Sequence, residues 1–193
     1  MNRYIFALAA LLAVAAADHH QKKCPWVTGK YPFDESKFAG DWNVIAYVPN
    51  PNFGEKKCTK LSVAAFKGEA GTTLNYKFNY FQDGKAKIGE MISYLKGDKG
   101  AMSYSTYKKE ETSKFSPVFK QAIVATDYDS YAVCVTCRPT FNEETKEFSR
   151  DLYAVILARS ATLPEDKLKT LKSILTSYDI EYDSIKLMDH TNC

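Results

Sequence analysis

The sequence predicts an all-β fold: an eight-stranded antiparallel up-and-down β-barrel with one C-terminal α-helix packed outside it. Three observations lead there. Eight alternating or β-rich runs recur between Trp42 and Ala158, separated by short stretches rich in Gly, Asp, Asn or Pro, as tight antiparallel connections require. One amphipathic segment follows the eighth run. Eight antiparallel strands in one domain escape exposed edges by closing on themselves, and eight strands enclose room for one small ligand. A β-sandwich would account for the strands but leaves the lone terminal helix unexplained.

The chain opens MNRYIFALAALLAVAAADHH, with Arg3 in a short positive region, an apolar run from Ile5 to Ala17, and Ala15 and Ala17 placed for cleavage. This reads as a secretory signal peptide over residues 1–17, too short for a transmembrane helix, followed by a single domain over 18–193. Of 193 residues, 176 then remain, the size of one ordinary domain. The net charge of +3 becomes +2 without Arg3, and Lys56, Lys57, Lys108, Lys109, Lys167 and Lys169 are scattered among acids. That pattern argues against nucleic acid and against anionic membranes as partners, and no later stretch suits membrane insertion. All five cysteines lie in the exported part, where disulfides are expected and an odd count leaves one thiol over. The close pair Cys134-x-x-Cys137 has no histidine near it in sequence, since His19, His20 and His190 sit at the chain ends. It reads as structural, and no metal site is expected.

The first strand, WNVIAYVP, follows a Gly40-x-Trp42 step. With Trp42 inward, alternation puts Val44, Ala46 and Val48 on its face. The loop NPNFGEKK then spans the open end, with Phe53 as its large apolar residue, a candidate to fold over a ligand. CTKLSVAAF is the second strand. In the third, LNYKFNYF sets Tyr76, Phe78 and Tyr80 on one face and Asn75, Lys77 and Asn79 on the other, so the aromatic set is expected to point inward. AKIGEMISYL and AMSYSTYKK contribute Tyr94 and Tyr104 as cavity candidates. VFKQAIVAT is sixth and SYAVCVTC seventh; if Cys137 points outward to reach the N-terminal segment, Cys134 points inward. FSRDLYAVILA is eighth. After it, Pro164 stands where a helix begins, Glu165 and Asp166 fill the first turn, and Leu168, Leu171, Leu175 and Tyr178 recur at helical spacing.

Three separated segments resemble the three motifs of the lipocalins, in order and in spacing: FDESKFAGDW with Gly40 and Trp42, ATDYDSYAV with Thr126, Asp127 and Tyr128, and LYAVILARS with Arg159. The resemblance covers essentially the whole exported chain. Physical reading of these residues agrees with a fold role. Trp42 offers a large apolar plug near the closed end, a guanidinium such as Arg159 can stack on its indole for about 0.5–2 kcal/mol, and Asp127 suits a turn. Within the lipocalins the chain is similar to insect bilin-binding proteins of the insecticyanin kind, and more loosely to the carotenoid-binding subunits of crustacyanin. That resemblance implies disulfides Cys24–Cys137 and Cys58–Cys193, where arithmetic alone leaves three pairings open. It also implies that Tyr153 and Val155 face the cavity and, against the alternation, that Asn79 does. Tryptophan and histidine positions that line the pocket of some bilin binders correspond to Val155 and Arg150 here.

The function these features imply is a secreted carrier that buries a flat, largely apolar chromophore, biliverdin first and a carotenoid second. A carrier of colourless lipophiles such as fatty acids, retinoids or pheromones is the alternative, and a homo-oligomer is compatible with either. An enzyme reading would use an inward Cys134 as nucleophile, as the pocket cysteine of a lipocalin isomerase does. Val133 and Val135 flank it, however, and no strand holds a histidine to lower its pKa. A protein-interaction or storage module with an incidental cavity is the third class.

Overall fold

The computed structural model describes residues 23–50, 54–97, 100–110 and 113–193. The expected signal peptide and its cleavage point, and Phe53, lie outside the described residues. A short helix α1 (Glu35–Phe38) leads into β1 (Gly40–Tyr47), β2 (Lys57–Gly68), β3 (Gly71–Gln82), β4 (Lys85–Leu95), β5 (Met102–Lys108), β6 (Phe119–Thr126), β7 (Tyr131–Asn142) and β8 (Glu147–Ala158). Then come α2 (Glu165–Thr176), a 3-10 turn (Tyr182–Ser184) and a two-residue strand β9 (Lys186–Leu187). Every run expected to be a strand is one. Each strand from β2 to β8 pairs antiparallel with the next, β8 pairs with β1, and β1 pairs back onto β2, closing the barrel. β9 adds to the outer flank of β1 at Ala46↔Leu187; two residues carry no periodicity by which a sequence could announce them.

Two apolar clusters follow from this closure. Inside the barrel lie Phe38, Trp42, Val44, Leu61, Val63, Tyr76, Cys134 and Leu157, among others. Outside it, Leu171 and Leu175 of α2 bury themselves against Val133, Val135, Ala154 and Ile156 of the β7 and β8 outer face. The helix thus covers a stretch of wall that is apolar on both sides, which explains the unbroken hydrophobic reading of AVCVTC and YAVILA.

The register of β1 breaks midway. Val44 faces Leu157 and Ala46 faces Ile156, so Ile45 is an extra residue against β8. A bulge of one residue inverts the alternation beyond it. Ala46 and Val48 therefore belong to the outer cluster under α2, while Tyr47 turns inward. Two disulfides tie the chain ends to the wall, Cys24–Cys137 and Cys58–Cys193, the pairing that the resemblance implies; Cys134 is the free thiol among the described residues and is buried.

Candidate functional site

The closed end of the barrel is assembled from the three motif segments. Trp42 is 1% exposed, and its indole N–H donates to the Phe38 carbonyl at 2.9 Å. The Arg159 guanidinium lies 3.7 Å from the centre of the indole ring. Its nitrogens donate to the carbonyls of Tyr128 (3.0 Å), Asp41 (2.9 Å), Lys37 (2.9 Å) and Ala39 (2.9 Å), so one side chain satisfies the exposed end of α1 and the β6–β7 turn together. Gly40 has φ +102°, a backbone conformation that favours glycine, and a Cβ there would press on Arg159 Nη1 at 3.2 Å. In the β6–β7 turn, Thr126 Oγ1 donates to the Tyr131 carbonyl (2.6 Å) and accepts from the Tyr128 amide (2.9 Å). Asp127 Oδ1 accepts the amides of Ser130 and Tyr131, each at 2.9 Å. Burial raises the Asp127 pKa, but these bonds and the Ser130 hydroxyl outweigh it and hold the carboxyl below its usual value. None of these motif side chains borders the cavity; they shut its floor.

Above the floor is a cavity of about 530 Å³, within the range of small-molecule sites. Val44, Tyr47, Leu61, Phe78, Met91, Phe119, Val155, Leu157 and Met188 supply its apolar wall. Behind this wall, on the inner side of β4 and β5, buried hydroxyls satisfy one another. The Ser93 and Ser105 hydroxyls are 2.7 Å apart, and Ser103 bridges from Ser105 (3.1 Å) to the Gln121 carbonyl (3.3 Å). Burial holds the phenols of Tyr76 and Tyr153 protonated, well above their ordinary range. Thr59 is 6% exposed and lines the cavity, yet its hydroxyl has no hydrogen-bond partner. Leaving such a group unpaired costs about 1–3 kcal/mol, which makes it a point where a ligand atom would be rewarded.

The mouth is basic. Lys56, Lys109, Lys114 and Arg138 line it, against Asp151 as the one carboxylate among the described lining residues, and Arg138 is joined to Asp151 at 2.6 Å. Lys56 Nζ sits 4.1 Å from the centre of the Tyr80 ring and donates to the Tyr107 hydroxyl at 3.4 Å. Burial, helped by the charges of Lys109 and Lys87, brings its pKa down to about 8.

Of the residues expected to face a ligand, Val44, Cys134, Tyr153 and Val155 line the cavity. Five do not. Ala46 and Val48 point outward because of the bulge at Ile45. Asn79 is exposed on the barrel's outside, and β3 follows its alternation, with Tyr76 and Phe78 on the cavity side. Tyr94 and Tyr104 are 41% and 40% exposed, paired with each other on the outer face. Tyr94 reaches back to donate to the Ala70 carbonyl in the β2–β3 turn. On β4 and β5 the inner face holds Ser93, Ser103 and Ser105 in mutual hydrogen bonds, in alternation with Met91 and Tyr107, and Tyr94 and Tyr104 take the opposite parity. Tyr47, Lys56, Thr59, Tyr107 and Gln121 are cavity residues that the sequence reading did not single out. For Tyr107 the signal was available in the Ser103, Ser105, Tyr107 alternation; for Tyr47 the bulge hid it.

The Cys134 thiol lies among apolar neighbours, and burial pushes its pKa up to about 12. The one histidine among the described residues, His190, is bonded through Nε2 to the Val44 carbonyl at 2.8 Å. Among the described residues no cluster of three or more His, Cys, Asp or Glu could hold a metal, and no helix is long and apolar enough to cross a membrane.

Comparison with known proteins adds the following. The family model described as "Lipocalin / cytosolic fatty-acid binding protein family" matches residues 39–192. The chain is 30% identical over 176 residues to apolipoprotein D of Rattus norvegicus, covering 90% of this chain and 86% of that protein. It is 27% identical over 199 residues to insecticyanin-B of Manduca sexta, covering 98% and 90%. Among solved structures, insecticyanin of the tobacco hornworm Manduca sexta superposes with a TM-score of 0.66 at 22% identity, over 88% of this chain and 87% of that one. Lobster apocrustacyanin A1 superposes with a TM-score of 0.61 at 19% identity, over 86% and 91%.

Proposed function

Because the chain belongs to the lipocalin / cytosolic fatty-acid binding protein family, we propose that it is a secreted carrier whose barrel holds one flat, largely apolar chromophore, biliverdin first and a carotenoid second. The observation that carries this reading is the cavity itself. About 530 Å³ lies within the barrel against a wall of aromatic and aliphatic side chains, Val44, Leu61, Phe78, Met91, Phe119 and Leu157 among them, which suits holding a ligand largely by burial of apolar surface. The sequence resemblance to bilin binders and to the crustacyanin subunits supports a pigment over a colourless lipid.

The lining fits a bilin. A bilin's pyrrole and lactam groups need hydrogen-bond partners inside an apolar site, and the unpartnered Thr59 hydroxyl with the Gln121 side chain offers them. When bound, the bilin supplies only colour; the protein's residues bury it, orient it and exclude water. Secretion is supported by the leader-like first 17 residues and by two disulfides. Catalysis is disfavoured: a thiol whose pKa burial raises to about 12 is a poor nucleophile at neutral pH, so the isomerase reading lacks an activated Cys134.

Titration of the purified protein with biliverdin, followed by visible absorbance and induced circular dichroism, tests the reading. A saturable 1:1 signal is the expected result. Absence of any signal with biliverdin and with a carotenoid, together with tight binding of a fatty acid, retinoid or pheromone, would transfer the assignment to the colourless class.

A further inference from the structure

We propose that residues 186–190 form a removable panel in the barrel wall and that the Cys58–Cys193 disulfide is its latch, so that this bridge governs how long a ligand is retained as well as how stable the fold is. The proposal rests on the carrier reading and adds a route of release to it. It starts from an unfinished seam. β1 and β2 pair as far as Asn43↔Lys60. Continued by two residues, that register would set Ile45 against Cys58, but each bonds to the C-terminal tail instead. The Met188 amide donates to the Ile45 carbonyl at 2.9 Å, and the Cys58 amide donates to the Asp189 carbonyl at 2.8 Å. On either side, Lys186 and Leu187 pair with Tyr47 and Ala46 as β9, and His190 Nε2 meets the Val44 carbonyl at 2.8 Å. Tail residues thus fill the seam where strand pairing stops.

The panel is also part of the site. Met188 belongs to the inner cluster and lines the cavity, so lifting the tail removes a piece of wall that a ligand touches. Its seat is lightly held. Leu187 is exposed, and the Lys57–Asp189 ion pair at 2.8 Å joins two well-solvated side chains, which stabilises little in water. The seat also carries costs that lifting relieves. Cys58 has φ +55°, a left-handed conformation unfavourable for a residue with a side chain. Thr59 beside it has a buried hydroxyl with no partner, which water would satisfy. Against these stands the disulfide, which returns the end of the tail to Cys58, the same residue that bonds Asp189. While it is closed, the panel is tethered at both ends. Opening it leaves residues 186–193 free to swing out, and a second route into the cavity appears between β1 and β2.

Kinetics test this, because a new route between the same bound and free states speeds entry and exit by one factor and leaves affinity alone. The probes are biliverdin, followed by absorbance, and retinol, followed by quenching of tryptophan emission; stopped-flow mixing gives association and dilution gives release. In the double variant Cys58→Ser with Cys193→Ser, both rates should rise about tenfold or more, with Kd held within about threefold. Cys24→Ser with Cys137→Ser is the control: it opens a bridge of the same kind on β7, with β8 between it and β1, and should leave both rates unchanged. The native protein supplies a further reading that needs no variant. Its Met188 and Cys58 amides should exchange hydrogen together, and sooner than the β1–β2 ladder amides between Gly40 and Asn43; exchange no faster than the ladder would overturn the panel. Unchanged rates in the first variant would overturn the latch and leave the carrier reading standing. So would equal acceleration in the control, or faster release with Kd weakened in proportion, which marks a damaged wall and not a new route. No binding of either probe by the native protein would defeat both readings.

Discussion

Replacing Arg159 with methionine should destabilise the protein by about 3 kcal/mol without opening the ligand site. The figure follows from what the side chain does. Its nitrogens make four hydrogen bonds of 2.9–3.0 Å to the carbonyls of Tyr128, Asp41, Lys37 and Ala39, and its guanidinium lies 3.7 Å from the Trp42 ring centre. Methionine keeps most of the aliphatic stem, so the loss is confined to the head group. The site is partly open to water, which can rehydrate the freed carbonyls, so each lost bond is taken at the low end of the usual range, about 0.5–0.7 kcal/mol. Four such bonds and a stack of about 0.5–1 kcal/mol give about 3 kcal/mol. Urea unfolding measures it: with a slope of about 2 kcal/mol/M, the midpoint should fall by about 1.5 M. Arg159→Lys should recover only part, because an ammonium cannot span four carbonyls and a ring face together. A double-mutant cycle with Trp42→Phe should isolate about 0.5–1 kcal/mol for the stack. A loss below about 1 kcal/mol for Arg159→Met, or full recovery by lysine, would refute the view that this guanidinium holds α1, β1 and the β6–β7 turn together.

Leu175→Ala should cost about 3 kcal/mol, since Leu175 is fully buried between α2 and the wall, yet leave ligand affinity unchanged because it lies outside the barrel. Opening the Cys58–Cys193 bridge by Cys193→Ser, paired with Cys58→Ser, releases a constraint spanning 135 residues and should lower stability by about 3–5 kcal/mol in urea unfolding; a loss under about 1 kcal/mol would mean that the β9 pairing already restrains the tail. A thiol-specific disulfide reagent at pH 8 should leave native Cys134 unmodified, because burial raises its pKa to about 12, and should react with it once the chain is unfolded; rapid native labelling would contradict its place inside the cavity. Asn79→Ala, Tyr94→Ala and Tyr104→Ala should each leave ligand affinity within about twofold, whereas Phe78→Ala should weaken it, as the outward and inward positions of these side chains require.

The eight barrel strands, their order and the terminal helix were legible in the sequence, because each of these elements is a local event; the two-residue β9 was not. Turn residues, period-two runs and the 3.6-residue spacing of Leu168, Leu171 and Leu175 need no distant partner to be recognised. The inward parity of Cys134 was legible for the same reason, once Cys137 was assigned to the outer face. What lies inside the barrel was decided by tertiary structure. Alternation carries only two values, and the one extra residue at Ile45 inverted it for Ala46, Tyr47 and Val48. On β4 and β5 the residues directly beside Tyr94 and Tyr104 on the inner face are hydroxyls that satisfy each other, Ser93, Ser105 and Ser103, so local hydrophobicity pointed to the wrong side and promoted Tyr94 and Tyr104. The basic mouth was legible only after folding. Lys56, Lys109, Lys114 and Arg138 are spread over more than 80 positions in a chain whose charges look evenly mixed, and closure of the barrel brings them to one rim. Charge along a sequence averages over directions that a closed sheet separates, which is why the fold could be read from the sequence while the gathering of these cations at one rim could not.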